Sequence, residues 1–409
     1  MENKFKKNTL IALVFILILN SVPVFAWTPE EDLSATSAIL MDTTRGQVLY
    51  EKEADAIHSP SIMCKLMAAL VTIEKSQLNS MVTISKNAAK INGSSLNLVV
   101  GNLYSVEDLL YGIMLSQGND AAIALAEYVG DGNIDKFVSY MNDKAKELNL
   151  TDTFFVNPTG LHDDKQFTSS RDIAKLVKIA ISNSTFNSLF GSKGIAWING
   201  KNSSILTNQN KLFWSYSGVD GGKVGSTPQQ GTTSVTTATR DNRRLIAVVF
   251  DSTEEKALLQ TSQLFDYGFS NFFTGVLVSK NTPLRNISIE DVEVNLISKI
   301  DVFYTYPKGN SFIKNISFDI NEKLKLPIST DTIAGVLTYK LNDDTVIEVN
   351  LYSDKAVVAP EDYRAKIKSI FKENQDLAII VFILLTLELI LVIYKLIILI
   401  IKVMRRTKT

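Results

Sequence analysis

The sequence predicts an α+β fold: an antiparallel sheet flanked by helices with one largely helical subdomain, then a small all-β domain and a C-terminal transmembrane helix. Met63, Leu66, Met67, Leu70 and Val71 recur at helical spacing, and the pattern stays helical from Ser105 to about Leu148. Thr232 to Ala238 and Leu245 to Phe250 are two β runs in succession, which suits neighbouring antiparallel strands. Leu377 to Ile401 is almost wholly apolar, long enough for a helix to span a hydrocarbon core of about 30 Å.

Taken in order, the chain begins with Lys4, Lys6 and Lys7, an apolar run from Leu10 to Leu19, and Val24-Phe25-Ala26. This is the pattern of a signal peptide cleaved after Ala26. Ala38 to Met41 and Gln47 to Tyr50 read as strands joined by the turn residues Thr43-Thr44-Arg45-Gly46. Pro60 opens the helix that carries Lys65, and its apolar spacing buries that helix in the core. Breaks at Gln117-Gly118-Asn119 and near Gly130-Asp131-Gly132 divide the helical stretch and put Asn119 at a turn between helices. Further helices are expected at Ser170 to Ile181 and Thr253 to Tyr267, the latter ending before Gly268.

From Gly275 to about Ala359 the pattern changes to short strands. Leu337, Tyr339 and Leu341 alternate with polar residues, Asn342-Asp343-Asp344 turns the chain, and Ile347, Val349 and Leu351 alternate back. A basic, helical stalk follows, then the apolar span. Lys402, Arg405, Arg406 and Lys408 close the chain as a basic cluster that stays cytoplasmic, so the main domains are expected on the outer face of a cell membrane crossed once.

The balance of 42 basic and 43 acidic residues points to no polyanionic partner, and an exported chain meets no nucleic acid. Cys64 is the single cysteine, so no internal disulfide forms. His58 and His162 are the only histidines, too few for a His-rich metal site, and they read as surface loop residues. No cofactor or metal is expected.

Four spaced segments carry a family resemblance: Pro60-Ser61-Ile62-Met63-Cys64-Lys65, Ser116-Gln117-Gly118-Asn119, Asn157-Pro158-Thr159-Gly160 and Asp220-Gly221-Gly222-Lys223-Val224-Gly225. Together with the trailing β domain and the C-terminal span, they resemble the serine D-alanyl-D-alanine carboxypeptidases, the low-molecular-weight penicillin-binding proteins. The resemblance implies a penicillin-binding-protein/β-lactamase-like fold and a role in peptidoglycan metabolism. It divides the chain into a signal peptide (1–26), a carboxypeptidase-like domain (27–274), a C-terminal β domain (275–359), a juxtamembrane stalk (360–376), a transmembrane helix (377–401) and a tail (402–409).

That family works through Ser-x-x-Lys, Ser-x-Asn and Lys-Thr-Gly. The first puts a hydroxyl one helical turn from the lysine that deprotonates it. The second relays protons and holds the substrate backbone. The third offers charge and hydroxyl to a terminal carboxylate, on an edge strand that a peptide approaches at the glycine. Here Ile62 stands at the nucleophile position, Gln117 at the relay position and Val224 at the threonine position, whereas Lys65, Asn119, Lys223 and Gly225 are kept. An amide cannot relay protons as a hydroxyl does.

Two neighbours bear on the missing nucleophile. Ser61 lies four residues before Lys65 and reads as a helix cap or as a displaced nucleophile; Cys64 reads as a buried thiol. The resemblance therefore implies a pseudoenzyme that uses Lys65 for positive potential and Asn119, Lys223 and Gly225 to bind a stem peptide ending in D-Ala-D-Ala. The alternative is an active carboxypeptidase that removes the terminal D-alanine through Ser61. Within the span, Glu388 and Lys395 share a helix face. They suit a contact with another membrane protein through Glu388, or a protonated Glu388 with Lys395 reaching for the interface.

Overall fold

Leu245 to Phe250 is apolar without interruption, and a strand that is apolar on both sides must be covered on both sides. A computed structural model describes residues 33–199, 202–227, 231–308, 312–342, 345–358 and 363–406. The expected signal peptide and the last three residues of the tail lie outside the described residues. The chain divides into two units, one reaching Leu277 and including Phe303–Phe312, the other formed by Val278–Val302 and the chain from Ile313 onward.

In the first unit, β1 (Ser37–Asp42), β2 (Val48–Lys52), β7 (Val219–Thr227), β8 (Gly231–Arg240) and β9 (Arg243–Ser252) form one antiparallel sheet in the order β2-β1-β9-β8-β7. Alternate residues of β9 enter different cores. Ile246, Val248 and Phe250 join the larger one with Leu66, Leu110, Leu125 and Phe137, whereas Leu245, Ala247 and Val249 join the smaller with Leu264 and Phe265. The sheet is thus the middle layer of three.

Helix Cys64–Lys75 lies deep in the larger core, with every residue from Cys64 through Thr72 buried. Helices Val106–Leu115, Asn119–Val129 and Ile134–Glu147 surround it as the helical subdomain. The first of these is started by a capping box: Ser105 Oγ accepts from the Asp108 N–H at 3.0 Å and the Asp108 carboxylate accepts from the Ser105 N–H at 3.2 Å. It stops at Leu115, Gln117 takes a left-handed backbone (φ 58°), and Asn119 begins the next helix, so the break falls where the sequence places it.

Two pieces depart from expectation. The last helix of this unit runs Glu254–Asn271, past Gly268, because that glycine faces the Leu40 and Leu245 side chains; a Cβ there would stand 2.7 and 2.6 Å from them. The glycine permits close packing and does not end the helix. Two short antiparallel pairs, β3 (Met81–Thr83) with β4 (Leu103–Ser105) and β5 (Gly194–Asn199) with β6 (Asn202–Thr207), carry no clear sequence period. Strands β10 (Phe272–Val278) and β13 (Val302–Pro307) pair separately.

The second unit contains a five-stranded sheet in the order β11-β12-β16-β15-β14, from Pro283–Ile289, Val292–Ile297, Val346–Ser353, Ile333–Leu341 and Ile313–Ile320 respectively. The alternation read in sequence appears as the β15–β16 ladder, where Leu337 faces Val349 and Tyr339 faces Ile347. Helices Tyr363–Glu373 and Gln375–Arg406 follow. Among the described residues, Ile379–Ile401 is the one stretch long and apolar enough to cross a membrane, with 23 residues of mean hydropathy 2.7.

Phe265, on helix Glu254–Asn271, is fully buried in the smaller core with Leu245, Ala247 and Val249 of the sheet. Phe265→Ala is expected to destabilise this unit by roughly 3–5 kcal/mol, read as a lower midpoint in chemical denaturation at unchanged slope.

Candidate functional site

The first unit contains a cavity of about 330 Å³. Its walls come from residues far apart in sequence: Ser61 and Lys65, Gly93 and Ser94, Gln117 and Asn119, Thr159 to His162, and Ser226 with Thr227.

Lys65 lies in the first turn of helix Cys64–Lys75, just after a 3-10 turn over Ser61–Met63. The side chain is 3% exposed, and its Nζ donates to the Thr159 carbonyl at 2.6 Å. That carbonyl is held by the Asn-Pro-Thr-Gly turn. Asn157 Oδ1 accepts from the Thr159 N–H at 3.1 Å, the Thr159 hydroxyl at 2.7 Å and the Gly160 N–H at 2.8 Å. Gly160 has φ 77°, and a Cβ on it would stand 1.6 Å from the Ser61 carbonyl oxygen. Only glycine satisfies both the backbone and the space here.

Burial pushes the Lys65 amine from the ordinary 10.5 down to about 8, with the nearby Cys64 and Asp120 partly opposing the shift. The Cys64 thiol is fully buried and pushed up to about 12 by the same desolvation, against the pull of Lys65. It rests 3.5 Å from Gln166 Oε1 and is an inert thiol. Ser61 departs from its expected capping role. Met63 stands before the helix with no side-chain cap, while Ser61 takes a left-handed backbone (φ 43°) on the cavity wall, its carbonyl packed on Gly160.

Across the cavity, the Gln117 side chain donates from Nε2 to the Val224 carbonyl at 2.7 Å. This bond joins the turn between two helices to the sheet's edge strand, β7. Asn119 Nδ2 donates to the Asn92 carbonyl at 2.7 Å, and its own N–H donates to the Ser94 carbonyl at 2.7 Å, holding the Gly93–Ser94 wall in place.

Of the site residues expected from sequence, Lys65, Gln117 and Asn119 reach the cavity wall. Lys223, Val224 and Gly225 sit beside it on β7, and the strand lines the cavity through Ser226 and Thr227 instead. Lys223 is 1% exposed, and its Nζ donates to the Ile113 and Met114 carbonyls at 2.6 and 3.1 Å, at the C-terminal end of helix Val106–Leu115. Burial first, and the Lys65 charge second, hold its amine well below the usual lysine range. Ile62 belongs to the 3-10 turn immediately before Lys65.

Two supporting residues escaped the sequence reading, and a third, Asn157, stood in a quoted segment without a role. Asp120 is fully buried, and its carboxylate accepts the N–H groups of Leu96 and Leu98 and the Ser95 hydroxyl, anchoring the loop behind Ser94. Gln166 Oε1 accepts from the Val156 and Asn157 N–H groups at 3.3 Å each, steadying the turn that receives Lys65. Asn157 organises that turn directly. Asp120 directly follows the quoted segment that ends at Asn119, which was its only signal. His162 is a loop residue as expected, placed at the cavity wall and 3.2 Å from Asp164. Among the described residues, no cluster of three or more His, Cys, Asp or Glu side chains is placed to hold a metal ion.

Comparison with known proteins matches a family model described as D-alanyl-D-alanine carboxypeptidase over residues 24–254, and one described as Penicillin-binding protein 5, C-terminal domain, over residues 272–359. The D-alanyl-D-alanine carboxypeptidase DacF of Bacillus subtilis is 30% identical over 82% of this chain and 88% of its own length. The carboxypeptidase DacC of Escherichia coli is 32% identical over 78% of this chain and 85% of its own. Among solved structures, penicillin binding protein 5 from Haemophilus influenzae superposes with a TM-score of 0.69 at 28% identity, covering 80% of this chain and 98% of that one.

The lowered amine of Lys65 fixes the sign of a pH effect. The unfolded chain holds more protons than the folded one between about pH 8 and 10.5, so stability rises with pH across that window. The burial penalty is fully present below about pH 8 and relieved above it. Denaturation midpoints of wild type and Lys65→Met, compared from pH 8 to 10, should converge as pH rises, by an amount on the order of 2 kcal/mol.

Proposed function

The chain belongs to the D-alanyl-D-alanine carboxypeptidase family, and from that premise we propose that it is a catalytically silent member that binds its ligand without cleaving it. The ligand is a peptidoglycan stem peptide ending in D-Ala-D-Ala, or a wall-synthesis protein that presents similar chemistry. The observation that carries this reading is the bond from Gln117 to the Val224 carbonyl. The side chain at the proton-relay position is an amide committed to a structural contact, and an amide does not pass protons as a hydroxyl does. Isoleucine at position 62 leaves the family's nucleophile position, three residues before Lys65, without a hydroxyl, and Val224 lacks the oxygen of threonine.

What is kept favours binding. Lys65 contributes positive charge inside the cavity, where a terminal carboxylate gains most from it. Asn119 holds the opposite wall, Lys223 adds charge from behind β7 when protonated, and Gly225 leaves the edge strand approachable. On this reading the chain is exported by the signal at 1–26. Residues 27–274 bind, 275–359 form the β domain, 360–376 the stalk, 377–401 a single membrane span, and 402–409 a cytoplasmic tail. Glu388, near the middle of the span, meets another membrane protein.

One observation favours a second reading. Ser61 shares the cavity wall with Lys65, so a displaced serine could attack a substrate carbonyl with Lys65 taking its proton. That reading makes the chain an active carboxypeptidase.

Full-length protein in detergent separates them. The silent reading predicts no stable labelling by a fluorescent penicillin and no D-alanine released from a pentapeptide at high protein concentration. Either signal, abolished by Ser61→Ala, would establish the enzyme instead. The combined change Ile62→Ser, Gln117→Ser and Val224→Thr is expected to create penicillin labelling where wild type has none. Binding of a pentapeptide, followed by calorimetry, should weaken as pH rises through about 8, because the Lys65 ammonium is lost there. Glu388→Leu is expected to release a co-purifying membrane protein; retention of every such protein would sink the contact.

A further inference from the structure

Helix Ser170–Ala180 places Arg171, Lys175 and Lys178 at i, i+4 and i+7, on a single face. That face lines a second cleft of about 230 Å³, shared with Arg45 from the β1–β2 turn and bounded by apolar side chains that include Leu148 and Ile179. Four cations therefore converge on one small space.

Their existing partners differ. Arg171 is paired with Asp55 through Nε at 2.5 Å and with Glu51 through Nη2 at 2.6 Å, which leaves Nη1 uncommitted. Lys175 Nζ lies 3.3 Å from the fully buried Asp172, whose carboxylate also accepts the Asp152 N–H and the Thr153 hydroxyl. Arg45 has a single bond, from Nε to the Phe303 carbonyl at 2.5 Å, and no carboxylate partner among the described residues. Lys178 has none either. Its side chain lies across Gly46, with Nζ 3.4 Å from where a Cβ would stand. The backbone of the turn has thus made room for the lysine.

Two cations without carboxylate partners, beside two others with donors to spare, match a compact anion of more than one charge. A tetrahedral phosphate offers several oxygens to a guanidinium fork and to ammonium groups at once, which a single carboxylate does not. The apolar wall suits a short organic substituent on that phosphate. We propose that this cleft is a second ligand site, separate from the cavity at Lys65, and that it takes the phosphate group of a small phosphate ester. Arg45 and Lys178 supply the uncompensated charge, while Arg171 and Lys175 orient the oxygens.

The test uses full-length protein in detergent, titrated with inorganic phosphate, with glycerol 3-phosphate and with acetate at matched ionic strength, followed by calorimetry and thermal midpoint. Both phosphates should bind and raise the midpoint, with the ester tighter if the apolar wall takes part. The double change Arg45→Gln and Lys178→Gln should weaken binding at least tenfold. Lys178→Arg, which keeps the charge, and Lys193→Gln, on the exposed surface away from the cleft, should leave it within twofold. Equal binding in wild type and the double variant would overturn the site, as would no binding by wild type. Acetate binding as tightly as phosphate would overturn the phosphate assignment.

Discussion

An amine inside an apolar core is tolerable only when its protons find acceptors, and much of this unit is arranged around meeting that condition for Lys65. The acceptor is a backbone carbonyl, that of Thr159, so the loop bearing it must be held still. Asn157 ties the loop to itself, Gln166 ties it to the segment before it, and Gly160 lets it close on the Ser61 carbonyl. Lys223 meets the same condition differently, by donating to the carbonyls at a helix C-terminus, where the helix dipole favours a donor. Two neighbouring buried lysines also repel one another when both are charged, and the Lys65 charge adds to burial in lowering the Lys223 amine.

The layered fold was legible because its signals are periodic. The two successive β runs at Thr232–Ala238 and Leu245–Phe250 announced neighbouring antiparallel strands, and the spacing of Met63 through Val71 announced a helix buried within the core. The breaks at Gln117 and near Gly130 were legible from turn chemistry. What escaped were elements of three to six residues, too short to show a period, and the reach of helix Glu254–Asn271 through Gly268. A glycine read alone signals an end; read against Leu40 and Leu245 it is a point of close contact.

The site was legible to the level of segments and less so to the level of side chains. Three of the four quoted segments line one cavity; the fourth lies beside it, and the edge strand contributes Ser226 and Thr227 to the wall and not Lys223 or Gly225. Sequence spacing says which residues share a strand; it does not say where along that strand the cavity opens. Asp120 and Gln166 were silent for a related reason. Their work is to accept backbone N–H groups, a task that depends on the paths of distant loops and leaves no local pattern.

The bond from Gln117 to Val224 has a further consequence for the sheet itself. A strand at the edge of a sheet presents unpaired backbone groups and can template pairing with another chain. β7 is such a strand, rich in glycine and exposed at Ser226. By occupying one of its outward carbonyls, the Gln117 amide interrupts the ladder that an incoming strand would extend. The side chain that stands where a reactive hydroxyl is expected thereby confines pairing of a peptide on this edge to the stretch beyond Val224, where Gly225 and Ser226 follow.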